Sequence, residues 1–225
     1  MLREIVLLTG EQEGPHLTGF LRQRNPALTV THVQTRDELT MALHPRRPGV
    51  RLIAFCTSTI VSADQLAELE CGAYNFHPGP PDYPGRHPAS FAIYQGASRF
   101  GATAHEMRAR VDSGPIIAAE WFDMPATPRL AELERLAFEA CIRLWTRLGP
   151  ALATQSGALP VTDIAWSGRK STQADLDRLC ALPFDIDAQE FDRRRRAFAD
   201  GLTGRLTVEI HGQRFRIEDK IKQNQ

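Results

Sequence analysis

Ala73-Tyr74-Asn75-Phe76-His77-Pro78-Gly79-Pro80-Pro81-Asp82-Tyr83-Pro84-Gly85 is the stretch on which the reading of the chain turns. Its first four residues read as a short buried strand. Five prolines then lie between Pro78 and Pro88, of fifteen in the chain. Proline fixes its own φ and restrains the residue before it, so this loop is stiff before anything binds. Asn75 and His77 are two apart, which on a strand puts both side chains on one side. Asn offers an amide N–H, and His exchanges a proton near neutral pH. An isolated Asn-x-His is commonest as a structural Asn and a turn histidine. Beside a rigid loop the pair is positioned once, during folding, as a catalytic site requires.

Upstream, short apolar runs alternate with helical patterns. Residues 4–10 are a continuous apolar run closed by glycine, as in a strand buried on both faces. Residues 16–24 are helix-like, 28–33 alternate like a second strand, 35–43 form a short helix, and 50–56 a third strand. Ser62 is an N-cap candidate for a helix over 62–69. The strand carrying Asn75 follows. This alternation implies an α/β chain with a doubly wound, mostly parallel, Rossmann-like sheet. Such sheets bind ligands beyond the carboxyl ends of their strands, where Asn75 and His77 sit. Gly10-Glu11-Gln12-Glu13-Gly14, after the first strand, lacks the G-x-G-x-x-G fingerprint and a P-loop lysine. Its glutamates repel a phosphate, so NAD, FAD and ATP are not expected.

The 225 residues fit one domain, or one with a small appendage. Lys plus Arg is 27 and Asp plus Glu is 27, which argues against a broad nucleic-acid surface. No apolar stretch reaches membrane-spanning length, so no membrane partner is expected. The N-terminus lacks signal-peptide organisation. Cys56, Cys71, Cys141 and Cys180 show no C-x-x-C spacing. They read as reduced thiols of a cytoplasmic protein without a metal site.

Downstream of the proline loop, residues 87–96 read as a helix with Pro88 in its first turn and Gly96 at its exit. Residues 100–107 alternate, with Thr103, His105 and Met107 on one face. A turn centred on 112–114 then leads into a strand. Alone, Asp-x-Gly-Pro is a common turn and His105 an ordinary sheet histidine. In combination, Asn75-Phe76-His77-Pro78, Thr103-Ala104-His105 and Asp112-Ser113-Gly114-Pro115-Ile116 resemble the formyltransferase family that uses 10-formyltetrahydrofolate. The resemblance is clear from about residue 71 to 120 and weaker over 50–70 and the first strand.

The resemblance implies transfer of a formyl group from 10-formyltetrahydrofolate to an amine. It makes Asn75 a hydrogen-bond donor to the developing oxyanion. His77 stabilises the same charge and manages the leaving-group proton, while Asp112 orients His77 and supports its charged form. Thr103 and His105 are expected behind them, holding a water or Asp112. The family's pterin slot falls on two loops, with Ser58, Thr59 and Val61 on one and Met107, Arg110 and Val111 on the other. The family often carries an Arg or Met near Ser58–Thr59. This chain does not, so the contact there is expected through backbone.

Three acceptor branches can be separated. The glycinamide ribonucleotide branch carries a phosphate loop after the first strand, which residues 10–15 fit badly. The methionyl-tRNA branch has a basic insertion and a C-terminal barrel, neither visible here. The form of the proline loop is closer to the branch that formylates small amines, notably nucleotide-linked amino sugars. A 10-formyltetrahydrofolate hydrolase and a non-catalytic folate-binding protein are the competing readings.

The expected division is a catalytic domain over 1–150, a linker over 151–174 and a small helix–hairpin region over 175–225. Residues 127–148 form a long helix with one apolar stripe. Residues 163–170, with Trp166, Arg169 and Lys170, resemble the "aromatic, then Arg-Lys" link that follows the catalytic domain in tRNA and sugar formyltransferases. A helix over 187–200 carries Arg193-Arg194-Arg195-Arg196, either a solvated face or a phosphate contact. Residues 205–217 read as a hairpin turning at His211-Gly212, a candidate homodimer surface.

Overall fold

Four apolar runs pair in parallel as β1 (Glu4–Leu8), β2 (Thr29–Val33), β3 (Val50–Phe55) and β4 (Ala73–His77). β5 (Arg99–Glu106) runs antiparallel to β4, and β6 (Ile116–Asp123) antiparallel to β5. The strand order is β2-β1-β3-β4-β5-β6, so one strand of six opposes the rest. The order reverses between β1 and β3, which opens a crevice at their carboxyl ends. The computed structural model describes residues 1–46, 48–199 and 206–217.

Helices cover the sheet. α1 (Glu13–Arg24) and α2 (Arg36–Leu43) link the first three strands. α3 (Ala63–Ala67) precedes β4, α4 (Pro88–Gln95) precedes β5, and α5 (Leu130–Thr154) follows β6. α2 and α3 both open on reciprocal caps, Thr35 with Glu38 and Ser62 with Gln65. α4 starts with Pro88 and exits at Gly96, as its sequence suggests.

α5 does not stop at Leu148 but runs on through Pro150. Arg51, wholly buried on β3, explains the persistence. Its guanidinium donates to the Leu152 carbonyl (2.7 Å), the Gly157 carbonyl (2.9 Å) and the Cys71 carbonyl (2.9 Å). A cation at a helix C-terminus satisfies carbonyls that the helix leaves unpaired and opposes the dipole. Leu133, Ala137, Ala140 and Leu144 of α5 are buried, as the apolar stripe predicts. Trp145 packs with Phe55 and Phe76 beneath the strand that carries Asn75.

Beyond the sheet lie α6 (Gln173–Cys180), β7 (Ala181–Leu182), α7 (Ala188–Phe198), β8 (Thr207–Ile210) and β9 (Gln213–Arg216). The hairpin turns at His211-Gly212, both at positive φ. β7 pairs parallel with β8. Neither α6 nor β7 was expected from sequence. β7 is too short to show a period, and α6 begins inside the expected linker on a Thr172–Asp175 capping box. Asp200 and Arg205, at the edges of expected elements, lie outside the described residues. The arginine run of α7 is engaged locally: Arg193 stacks on Tyr94, Arg194 pairs with Glu190, and Arg195 and Arg196 pair with Asp192.

Candidate active site

The Asn-x-His and Thr-x-His motifs are two halves of one cross-strand ladder. β4 and β5 register so that Asn75 faces His105 and His77 faces Thr103. Spacings of two on antiparallel neighbours bring four polar side chains to one face. Asn75 Nδ2 lies 3.1 Å from His105 Nε2. Thr103, expected to hold a water or Asp112, instead donates its hydroxyl to the Gly79 carbonyl at 2.8 Å and anchors the proline loop. Gly79 makes room for the catalytic-candidate ring, since a Cβ there would come 2.5 Å from His77 Nε2.

Asp112 reaches this face from the turn before β6. It adopts a left-handed conformation, φ 46°, which Asp tolerates better than most residues. Its Oδ1 lies 3.3 Å from His105 Nε2, its Oδ2 lies 3.7 Å from His77 Nδ1, and the Gly85 N–H donates to Oδ2 at 2.8 Å. Asp112 and both histidines are buried. Burial alone would raise the Asp112 pKa. The neighbouring His77 and His105 and the Gly85 N–H outweigh this and hold the carboxyl well below the usual range.

His77 shifts down. Burial is the dominant cause and outweighs the Asp112 carboxylate and the Tyr83 carbonyl, which both favour the charged form. The ring is therefore neutral at neutral pH, although Asp112 favours its charged form. His77 Nε2 lies 3.1 Å from the Tyr83 carbonyl, which assigns the hydrogen to Nε2 and leaves Nδ1 bare beside Asp112. His105 Nδ1 lies 2.7 Å from the Glu106 carbonyl and carries a hydrogen by the same reasoning.

These groups line a cavity of about 520 Å³. Ser58, Thr59, Val61, Met107 and Val111 line it too, at the places their loops predict. Arg110 does not. It is exposed, and Arg108 is on the wall instead, paired with Glu106. Arg86, His87, Glu134, Lys170, Thr172 and Gln173 line the cavity as well. Cys56 also lines the cavity in a left-handed conformation at the end of β3. The arginines of α7 are not among the lining residues. Among the described residues, no group of three or more His, Cys, Asp or Glu is arranged to hold a metal ion, and no helix is long and apolar enough to cross a membrane.

The expected linker crosses the proline loop as a strap. Ser167 N–H donates to the Pro81 carbonyl, and its hydroxyl to Asp82. Ser171 N–H donates to the Pro84 carbonyl, Arg86 N–H donates back to the Ser171 carbonyl, and Lys170 Nζ donates to the Val111 carbonyl. Any Cβ on Gly168 would fall on the Asp82 carbonyl. Trp166, within the strap, packs edge-on against His77 and His105, with ring centroids 6.1 and 5.1 Å apart. The sequence marks Trp166 as an aromatic in a link; a contact spanning some sixty to ninety residues leaves no trace in local spacing.

The chain superposes on a sugar N-formyltransferase of a Shewanella species, with a TM-score of 0.76 at 14% identity, covering 97% of each chain. It also superposes on an N-formyltransferase of Helicobacter canadensis solved with folinic acid and dTDP-3-aminofucose, with a TM-score of 0.65 at 12% identity, covering 94% of this chain and 85% of that one. In sequence it is 34% identical over 120 residues to the methionyl-tRNA formyltransferase of Roseiflexus castenholzii, a match spanning 52% of this chain and 37% of that protein. The formyl transferase family model matches residues 8–139, more than half of the chain and all of the segment from β3 to β6 that builds the cleft, and the chain belongs to that family.

Proposed function

We propose that the protein transfers a formyl group from 10-formyltetrahydrofolate to the primary amine of a small molecule, an amino sugar carried on a nucleotide. The observation that carries this reading is the convergence of Asn75, His77, His105 and Asp112 on one wall of a single cleft. A cavity of about 520 Å³ fits the usual size of small-ligand sites, and Ile60, Val61, Met107 and Val111 give one end of it an apolar lining suited to a pterin ring. The Helicobacter neighbour, solved with a folate and a nucleotide-linked amino sugar, supports both assignments.

Bound 10-formyltetrahydrofolate supplies an activated formyl carbon. Asn75 spends one amide hydrogen on His105, which aims the second at the formyl oxygen as it becomes negative. Such donors contribute on the order of 10²–10³ in rate. Neutral His77 accepts the amine proton at Nδ1, directly or through one water, and returns it to the departing folate nitrogen. Asp112, ionised throughout, stabilises the imidazolium in between. Arg86 and Lys170, both in the cleft lining, are the cations assigned to the acceptor's phosphates. Because Lys170, Thr172 and Gln173 join the cleft lining, the segment expected as a linker over 151–174 is read as part of the catalytic unit, with residues 175–225 as an appendage.

The test is formyl transfer by purified protein to nucleotide-linked amino sugars, free amino sugars, glycinamide ribonucleotide and methionyl-tRNA, with formate release measured without acceptor. Fastest transfer to a nucleotide-linked amino sugar is expected. Faster turnover of either of the last two acceptors, or formate release that no amine accelerates, overturns the assignment.

A further inference from the structure

We propose that Trp166 is a positioning residue for the reaction, the back wall that holds the two histidines in place and ties them to the strap. The inference rests on the reading above. Trp166 is not among the residues lining the cleft, so it acts on the histidines and not on substrate. Its ring meets both imidazoles edge-on, at interplanar angles of 68° for His77 and 83° for His105. Its Nε1–H donates to the Gly114 carbonyl at 2.9 Å, two residues after Asp112. One side chain thus touches both histidines and the turn that presents the carboxylate. The neighbours that hold it in place are the strap's own bonds to the proline loop, through Ser167 and Gly168.

The physical consequence concerns water. The charged groups acting on His77 are Asp112 and His105, with the Tyr83 carbonyl as a further partner. Asp112 favours a protonated ring; exclusion of water opposes it and prevails. An indole against the outer face of the ring contributes to that exclusion. Removing it admits water and lets His77 take up a proton at higher pH.

The experiment has two arms. In the first, kcat is followed against pH for the wild type, Trp166→Phe and Trp166→Ala. The alanine variant is expected to move the acidic limb toward pH 6.5, the ordinary histidine value, while phenylalanine, which keeps an apolar ring, leaves the limb near its wild-type position. A fall in kcat without movement of the limb, in alanine as in phenylalanine, overturns the proposal. The second arm needs no activity. The emission of Trp166, isolated as the difference between wild type and Trp166→Phe, is expected to titrate with His77 and to lose that titration in His77→Asn. Circular dichroism confirms that each variant is folded. A Trp166 signal indifferent to pH and to His77→Asn overturns the proposal whatever the reaction proves to be. A signal that titrates in a protein that transfers no formyl group upholds the contact and sinks the transferase reading alone.

Discussion

His105 Nε2 stands 3.3 Å from Asp112 Oδ1 and His77 Nδ1 0.4 Å farther off, at 3.7 Å from Oδ2. The histidine outside the Asn-x-His motif is thus the nearer partner of the carboxylate. It is also the partner of Asn75. A single nitrogen of His105 faces both an amide donor and an anion. With Nδ1 hydrogen-bonded to the Glu106 carbonyl, Nε2 accepts from the Asn75 amide. His105→Ala should accordingly lower kcat by roughly 10-fold or more by freeing the Asn75 amide, with little change in folate affinity. A variant whose folate Kd rises as much as its kcat falls would place His105 in binding instead.

Asn75→Ala should cost more, on the order of 10² in kcat, because it removes the donor itself and not its aim. Equilibrium binding of a folate measured by calorimetry should barely change, since the donor acts on charge that develops only in the reaction.

Activity should fall on the acid side with a midpoint below 6.5, because the neutral form of a downshifted His77 does the work. Stability carries the same sign. The folded value lies below the unfolded one, so the contribution is complete above pH 6.5 and is lost as pH falls through the folded value. Asp112, also depressed, contributes stability that is present above about 3.8 and is lost as pH drops below that toward its folded value. Thermal melts from pH 7 to 5 should flatten in His77→Asn. Parallel curves for the two proteins would mean that His77 is not protected from water.

Arg51→Ala should destabilise by about 3 kcal/mol or more, since three carbonyls are left buried without donors. Urea unfolding measures it. Arg51→Lys should recover only part, because an ammonium cannot match the planar fork that reaches Cys71, Leu152 and Gly157 together.

Incubation with a chelator should leave turnover unchanged, the chemistry being assigned to amide, imidazole and carboxylate groups. Reversible loss, restored by a divalent cation, would contradict that assignment.

The elements near in sequence were legible. Apolar runs, caps at Thr35 and Ser62, Pro88 and Gly96 around α4 and the turn at His211-Gly212 each act within a few residues, so local spacing reports them. Asn75 and His77 were legible as one face for the same reason. What the spacing could not show is register. Nothing in Thr103-Ala104-His105 says that it lies opposite Asn75 and His77, and the consequence, that His105 and not His77 holds the amide, follows only from pairing. α5 overran its expected end because the force sustaining it, Arg51, lies a hundred residues upstream. Arg110 was misplaced because the bend between Arg108 and Val111 turns residues 109 and 110 away from the cavity, and α6 because eight residues, four polar and four apolar, are too few to show a helical period against the expected linker.

The strap has a consequence in time. A nascent chain emerges from its N-terminus, and its domains fold as their residues become available. Asn75, His77, Asp112 and every strand of the main sheet precede residue 124. Ser167 and Ser171, which fasten the proline loop, are made more than forty residues later. Synthesis therefore passes through a stage in which every strand of the main sheet has been made while the residues that fasten its proline loop have not.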